Sequence, residues 1–206
     1  IRDLKRSADH LGIAENCVAF VAEVLYLGGL IVIDPDDQIL PTNSFDIWMS
    51  RSLEERWSSL VSLWLETSRV SGLSGKTGEK NIAPLGPELD RSSAATTRRL
   101  TLTLLQENSQ IAVDIDSLFA AATWLAPAKR AGGLQKDYIL WAMREAEWLG
   151  ITGQGVLSSY GADFLTGGDS TSVDTDLPKA VDHILIQSDN TAIAPGPLEH
   201  EVAQEL

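Results

Sequence analysis

The sequence predicts a mainly α-helical fold with small β-hairpins, arranged as two tandem winged-helix-like units followed by the truncated start of an α/β domain. Three observations carry this expectation. Two segments each read as helices followed by a β-hairpin, a Trp-bearing amphipathic helix lies between them, and two short strands with the beginning of a helix follow an acidic, Ser/Thr-rich run near the end. The predicted organisation is 1–70 as a winged-helix-like unit plus amphipathic helix, 71–90 as a flexible linker, 91–168 as the second unit, and 169–206 as linker and truncated domain start.

In the first unit, Arg2 to Leu11 and Glu15 to Leu27 read as helices and Leu30 to Ile33 as a strand. The turn Asp34-Pro35-Asp36-Asp37 then leads into a second strand, Gln38 to Leu40. From Ser52 to Val70, the apolar positions Leu53, Trp57, Leu60, Val61, Trp64 and Leu65 recur at helical spacing, and core packing accounts for large aromatics at this period. Ser71 to Lys80 has loop composition and is expected to be mobile.

The second unit repeats the order. Arg98 to Gln106, Ile115 to Leu125 and Lys136 to Leu149 read as helices, and a Gly-rich hairpin follows around Ile151 to Ser158. Each unit closes its long helix with an aromatic-Leu-Gly step, Tyr26-Leu27-Gly28 and Trp148-Leu149-Gly150, the glycine suiting a left-handed C-terminal position. Beyond the run 169–176 and Pro178, His183 to Gln187 and Thr191 to Ala194 read as strands. A helix is expected from Pro197, with Glu199 and Glu201 near its positive end. Two strands and a partial helix bury no core alone, so this piece is expected to belong to a larger domain, and the start at Ile1 fits an excised fragment.

The 206 residues suffice for one large or two modest domains, and 44% hydrophobic with 22% charged residues is ordinary globular composition. The apolar stretch Cys17 to Ile33 is interrupted by Glu23 and Gly28-Gly29, so no membrane segment is expected. Cys17 stands alone on an apolar helix face, where it reads as a small hydrophobe, and a reducing cytoplasm is the expected setting. Net charge is −13, and from Ala131 onward only Lys136, Arg144 and Lys179 oppose twelve acids. Duplex affinity comes from cations that neutralise phosphates, so this balance weighs against simple DNA binding.

No catalytic constellation emerges. Gly75-Lys76-Thr77 has the ending of a phosphate-binding loop, but the earlier glycine is Val70 and a helix precedes the string in place of a strand. Gly153-Gln154-Gly155-Val156-Leu157-Ser158 approaches a dinucleotide fingerprint yet follows a helix, and it reads as a wing turn. His10, His183 and His200 lack metal-ligand spacing, and solvated strand ends account for Asp182 and Asp189. The expectation is a non-enzymatic chain with no cofactor and no metal.

A resemblance covers nearly the whole chain. The run Val181 to Leu206 resembles the opening of the XPB-type helicase N-terminal domain of large actinobacterial helicase-associated proteins. Arg2-Asp3-Leu4-Lys5-Arg6, Leu40-Pro41-Thr42 through Phe45-Asp46-Ile47-Trp48, Glu55-Arg56-Trp57 and Glu145 through Gly153 (EAEWLGITG) are similar to landmarks upstream of that domain. The resemblance implies a non-catalytic accessory region of a helicase-associated, DNA-repair-type protein, positioning DNA or partner proteins, with helicase or repair proteins as partners.

Residue chemistry cuts across that implication. The helix Glu15 to Leu27 sits where a helix-turn-helix reader would enter the major groove, yet it carries Glu15 and Glu23 and no Lys or Arg. The cations available for non-specific phosphate contact are Arg2, Lys5, Arg6, Arg98, Arg99, Lys129 and Arg130, and charge reversal at Arg98 and Arg99 is the corresponding test. The second reading is an acidic protein–protein interaction scaffold with no direct DNA contact.

Overall fold

A computed structural model describes residues 2–77, 80–109, 111–125, 136–167 and 179–205. It is 57% helical, with small antiparallel two-stranded sheets. Helices α1 (Arg2–Leu11) and α2 (Glu15–Leu27) lead into strands β1 (Ile31–Ile33) and β2 (Ile39–Pro41), which pair with Val32 opposite Leu40. The turn is set by Asp34, whose Oδ1 accepts from the backbone N–H of Asp36 and Gln38. A short helix, α3 (Asn43–Met49), precedes α4 (Leu53–Glu66). Ser52 and Glu55 start α4 with a reciprocal capping box.

Helix α4 stops at Glu66, short of the predicted Val70, because the chain turns extended to pair with a later segment. The Val70 N–H donates to the Leu89 carbonyl and the Arg91 N–H to the Ser68 carbonyl. The stretch expected as a mobile linker therefore has built structure among its described residues. It holds a 3-10 turn (Ser71–Leu73), the hairpin β3 (Gly75–Thr77) and β4 (Lys80–Ile82), and a second 3-10 turn (Pro87–Leu89). Ser71, Ile82 and Leu89 are buried.

Helices α5 (Ala94–Glu107), α6 (Ile115–Leu125) and α7 (Lys136–Trp148) pack on one another, and α7 is followed by the hairpin of β5 (Thr152–Gly153) and β6 (Val156–Leu157). Gln154 and Gly155 both take positive φ at its two-residue turn. Helix α8 (Ser159–Leu165) follows, capped by Ser158, and strands β7 (Leu185–Ile186) and β8 (Ala192–Ile193) precede α9 (His200–Glu205). Helix α9 begins three residues after Pro197, the predicted start.

Helices α2 and α7 end alike. Leu30 N–H reaches back to the Leu25 carbonyl and Ile151 N–H to the Ala146 carbonyl, a six-residue closure in each case. At α7 the left-handed residue is Gly150, as expected; at α2 it is Gly29, because Gly28 stays helical. A single buried cluster joins Phe20 and Val24 of α2, Val61, Trp64 and Leu65 of α4, Leu102, Leu104 and Leu105 of α5, Leu118 and Ala122 of α6, and Ile139 and Ala146 of α7. Residues on both sides of 71–90 thus share one core.

Candidate functional site

Helix α2, which the sequence places in the recognition position, meets α7. Helix α2 turns Ala19, Phe20, Glu23 and Val24 inward, and the Phe20 ring lies 5.4 Å from the Trp148 ring of α7. Asn16 of α2 and Trp141, Arg144, Glu145 and Trp148 of α7 line a small cleft with Ser71 and Gly72. Gly72 lies so close to the Trp141 indole that a Cβ there would come within 2.4 Å of the ring.

Behind this seam lies a buried carboxylate. Glu145 Oε2 accepts from the Trp64 indole N–H at 2.7 Å and from Arg98 Nε at 3.2 Å, and Oε1 accepts from the Ser71 hydroxyl at 2.7 Å. Arg98 is only 3% exposed. Its Nη1 and Nη2 donate to the Thr67 and Arg69 carbonyls, and it lies 5.5 Å from the Trp64 ring centroid. Burial pulls its guanidinium below the ordinary value, while Glu145 opposes that pull.

A second ion pair pins the neighbouring segment 67–71. Glu23, the acid within the apolar helix α2, receives Arg69 Nε at 2.5 Å and Nη2 at 3.1 Å, as well as the Leu85 backbone N–H. Arg69 also donates to the Gly86 carbonyl at 2.8 Å and lies 3.5 Å from Asp90. The hydrogen bond to Glu23 raises the Arg69 pKa. Segment 67–71 is therefore held through its carbonyls by Arg98 and through its Arg69 side chain by Glu23.

The cations named from sequence do not converge. Arg98 is a correction: its guanidinium lies inside the core, where Nε meets Glu145 and Nη1 and Nη2 meet the Thr67 and Arg69 carbonyls, and does not face solvent as a phosphate contact requires. Arg99 is exposed but paired with Glu66. Lys5 and Arg6 are exposed on α1. Arg2 lies on the same helix, its side chain outside the described set, and Lys129 and Arg130 fall outside the described residues. Lys136 pairs with Asp116.

Sequence reasoning missed Glu145, Glu23, Arg69 and Ser71 as a network. The available signal was an acid embedded among apolar neighbours, Glu23 after Phe20 and Glu145 between Ala142 and Ala146, where a solvated acid breaks the amphipathic pattern.

The remaining motifs take structural parts. Gly75-Lys76-Thr77 forms strand β3. Gly155 sits at the turn against the Val113 backbone and its carbonyl accepts the Val113 N–H. Burial raises the Cys17 thiol, away from a reactive thiolate. Asp182 is lowered by its hydrogen bond to His183, and Asp189 by those from Thr191, so neither is poised to donate a proton near neutrality. Among the described residues no group of three or more His, Cys, Asp and Glu side chains converges on a metal-sized site, and no single helix is long and apolar enough to cross a membrane.

A groove lined by both apolar and polar side chains, Ser44, Ser59 and Ser62 among them, runs along α4. One part, about 310 Å³, is lined by Gly28, Leu30, Ile47, Trp48, Leu60 and Leu63 with Arg51 at its edge. A shallower, more open part shares Ser59 and Leu63 and ends at Glu66. Comparison with protein-family models, with curated proteins and with solved structures gives no match.

Proposed function

We propose that this chain is a non-catalytic accessory region that positions partner proteins, its two helix-and-hairpin units being winged-helix-like and fused into one scaffold. The observation that carries this reading is the packing of α2 against α7 through Phe20 and Trp148. A groove-reading winged helix packs one face of its recognition helix in this way and presents Lys, Arg, Asn or Gln to the DNA from the other. Helix α2 carries no Lys or Arg on any face. The net charge of −13 and the burial of Arg98 support the same direction. The resemblance of 181–206 and of the upstream landmarks supports a helicase-associated, DNA-repair-type setting.

Fluorescence anisotropy with single-stranded, duplex and forked DNA at about 50 and 200 mM salt tests this, because phosphate-driven affinity collapses across that range. The expected result is no saturable binding at the lower salt. Salt-sensitive micromolar binding contradicts it and favours contact with the DNA backbone through Lys5 and Arg6, which stand exposed on α1.

A further inference from the structure

The β1–β2 hairpin is a two-stranded sheet, so each of its strands has an outer edge. The register fixes which backbone groups lie there. Asp34 N–H donates to the Gln38 carbonyl and Thr42 N–H to the Leu30 carbonyl, on either side of the Val32–Leu40 pair, so the even-numbered residues of β1 bond to β2. The N–H and C=O groups of Ile31 and Ile33 therefore point away from β2, and among the described residues no donor or acceptor meets them. On β2 the matching edge is blocked by Pro41, which has no N–H to give. The β1 edge has no such block. Val32 and Ile33 are exposed on it, as are Ile39 and Leu40 beside it, so both faces of the hairpin are apolar and open. An edge of this kind is ordinarily blunted by Lys, Pro or a covering segment.

We infer that the outer edge of β1 receives an extended strand of a basic partner protein, paired antiparallel and led by Lys or Arg. That the occupant is a partner protein rests on the accessory function proposed above. The site is the strand edge, and the charge around it selects the strand. Asp34, Asp36 and Asp37 stand at the hairpin tip in no ion pair among the described residues, and the chain carries no Lys or Arg from Ser7 to Ser50. A second copy pairing through the same edge would add acid there and no cation from its own hairpin. Because β1 runs towards the tip, a strand antiparallel to it begins beside the acids. Cations at its N-terminal side then lie near the three aspartates, and its next three residues, apolar ones, lie opposite Ile33, Val32 and Ile31. The first and third of these bond to Ile33 and Ile31, while the second turns its own N–H and C=O outward. Main-chain bonds supply the affinity of such strand addition, and side-chain contacts supply its selectivity.

The probe is the peptide acetyl-KKVIVT-amide, titrated into the isotope-labelled 206-residue chain and followed by amide resonances. The Ile31 and Ile33 amides are expected to shift saturably and to exchange more slowly. N-methylation of the first or the third apolar residue removes a donor to the Ile33 or Ile31 carbonyl and is expected to weaken binding roughly tenfold, whereas methylation of the second leaves it within about twofold. Replacing both lysines by glutamate is expected to weaken binding about fivefold, and the chain carrying Asp36→Lys with Asp37→Lys reverses that preference. Ile33→Pro deletes an outward N–H and no bond of the ladder, so this variant is expected to keep its helical circular dichroism and to lose the peptide. No shift at Ile31 and Ile33 up to about 2 mM peptide overturns the proposal. Binding indifferent to which residue is methylated overturns it too, as does protection of these amides in a chain that dimerises without peptide. The DNA titration above tests the accessory reading separately, because Lys5 and Arg6 lie on α1 and not on this edge, so the two can fail independently.

Discussion

Arg98 shows what a charge does when a helix carries it inward. Its guanidinium meets Glu145 and two carbonyls, and Glu145 meets Trp64 and Ser71, so every strong group is answered by hydrogen bonds. Removing one partner strands the other. Arg98→Ala is therefore expected to lower unfolding free energy by about 3–5 kcal/mol in urea titration, and Arg98→Met with Glu145→Leu together by less than Arg98→Ala alone. A loss below about 1 kcal/mol for Arg98→Ala would place the pair in effective solvent contact. At the start of α6, Asp114 accepts from the Asp116 and Ser117 N–H groups and the Ser117 hydroxyl, and the Ser117 hydroxyl bond leads in lowering its pKa. A depressed carboxylate stabilises the fold above its unfolded value, about 3.9, and that contribution is lost as pH falls through the folded value. Asp114→Ala is accordingly expected to lower Tm near neutrality, with the gap to wild type closing towards about pH 2; a gap independent of pH would contradict the carboxylate's role.

Among the elements, most helices and the hairpins β1–β2, β5–β6 and β7–β8 were legible in the sequence, and the ordered segment 71–90 was not. The stretch 52–65 repeats its apolar positions with helical period, and Gln154-Gly155 carries turn chemistry, so α4 and the β5–β6 hairpin follow from local rules. The polar run 71–80 reads as loop because its order comes from elsewhere. Ser71 is fixed by Glu145, 74 residues on, and Gly72 is fixed by the Trp141 ring. Arg98 and Arg99 are neighbours of identical type in sequence, yet one faces the core and the other water. Composition alone could not separate them, although the helical phase set by Leu102 and Leu105 puts Arg98 inward. Short α3 and α8 have too few turns to show a period. Gly72→Ala tests the tertiary origin of the 71–73 turn. A Cβ 2.4 Å from the indole forces the turn or Trp141 to move, with an expected cost of about 1–3 kcal/mol by thermal or chemical denaturation and a changed near-UV signal; a neutral substitution would show that the contact yields freely.

On the scale of the whole molecule, the two units are joined by burial. Phe20 and Val24 enter the same cluster as Leu102, Leu118 and Ile139, and the ion pairs of Glu23 and Glu145 fasten segment 67–71 between them. Helices α2 and α7 each bury one face in that shared cluster. Native-state hydrogen exchange, resolved by peptide, tests that mutual burial most directly. Amides of α2 and α7 are expected to exchange only through the same global opening, at one shared free energy, with the same denaturant slope. Exchange of α2 through a separate, lower-energy opening while α7 stays protected would contradict it.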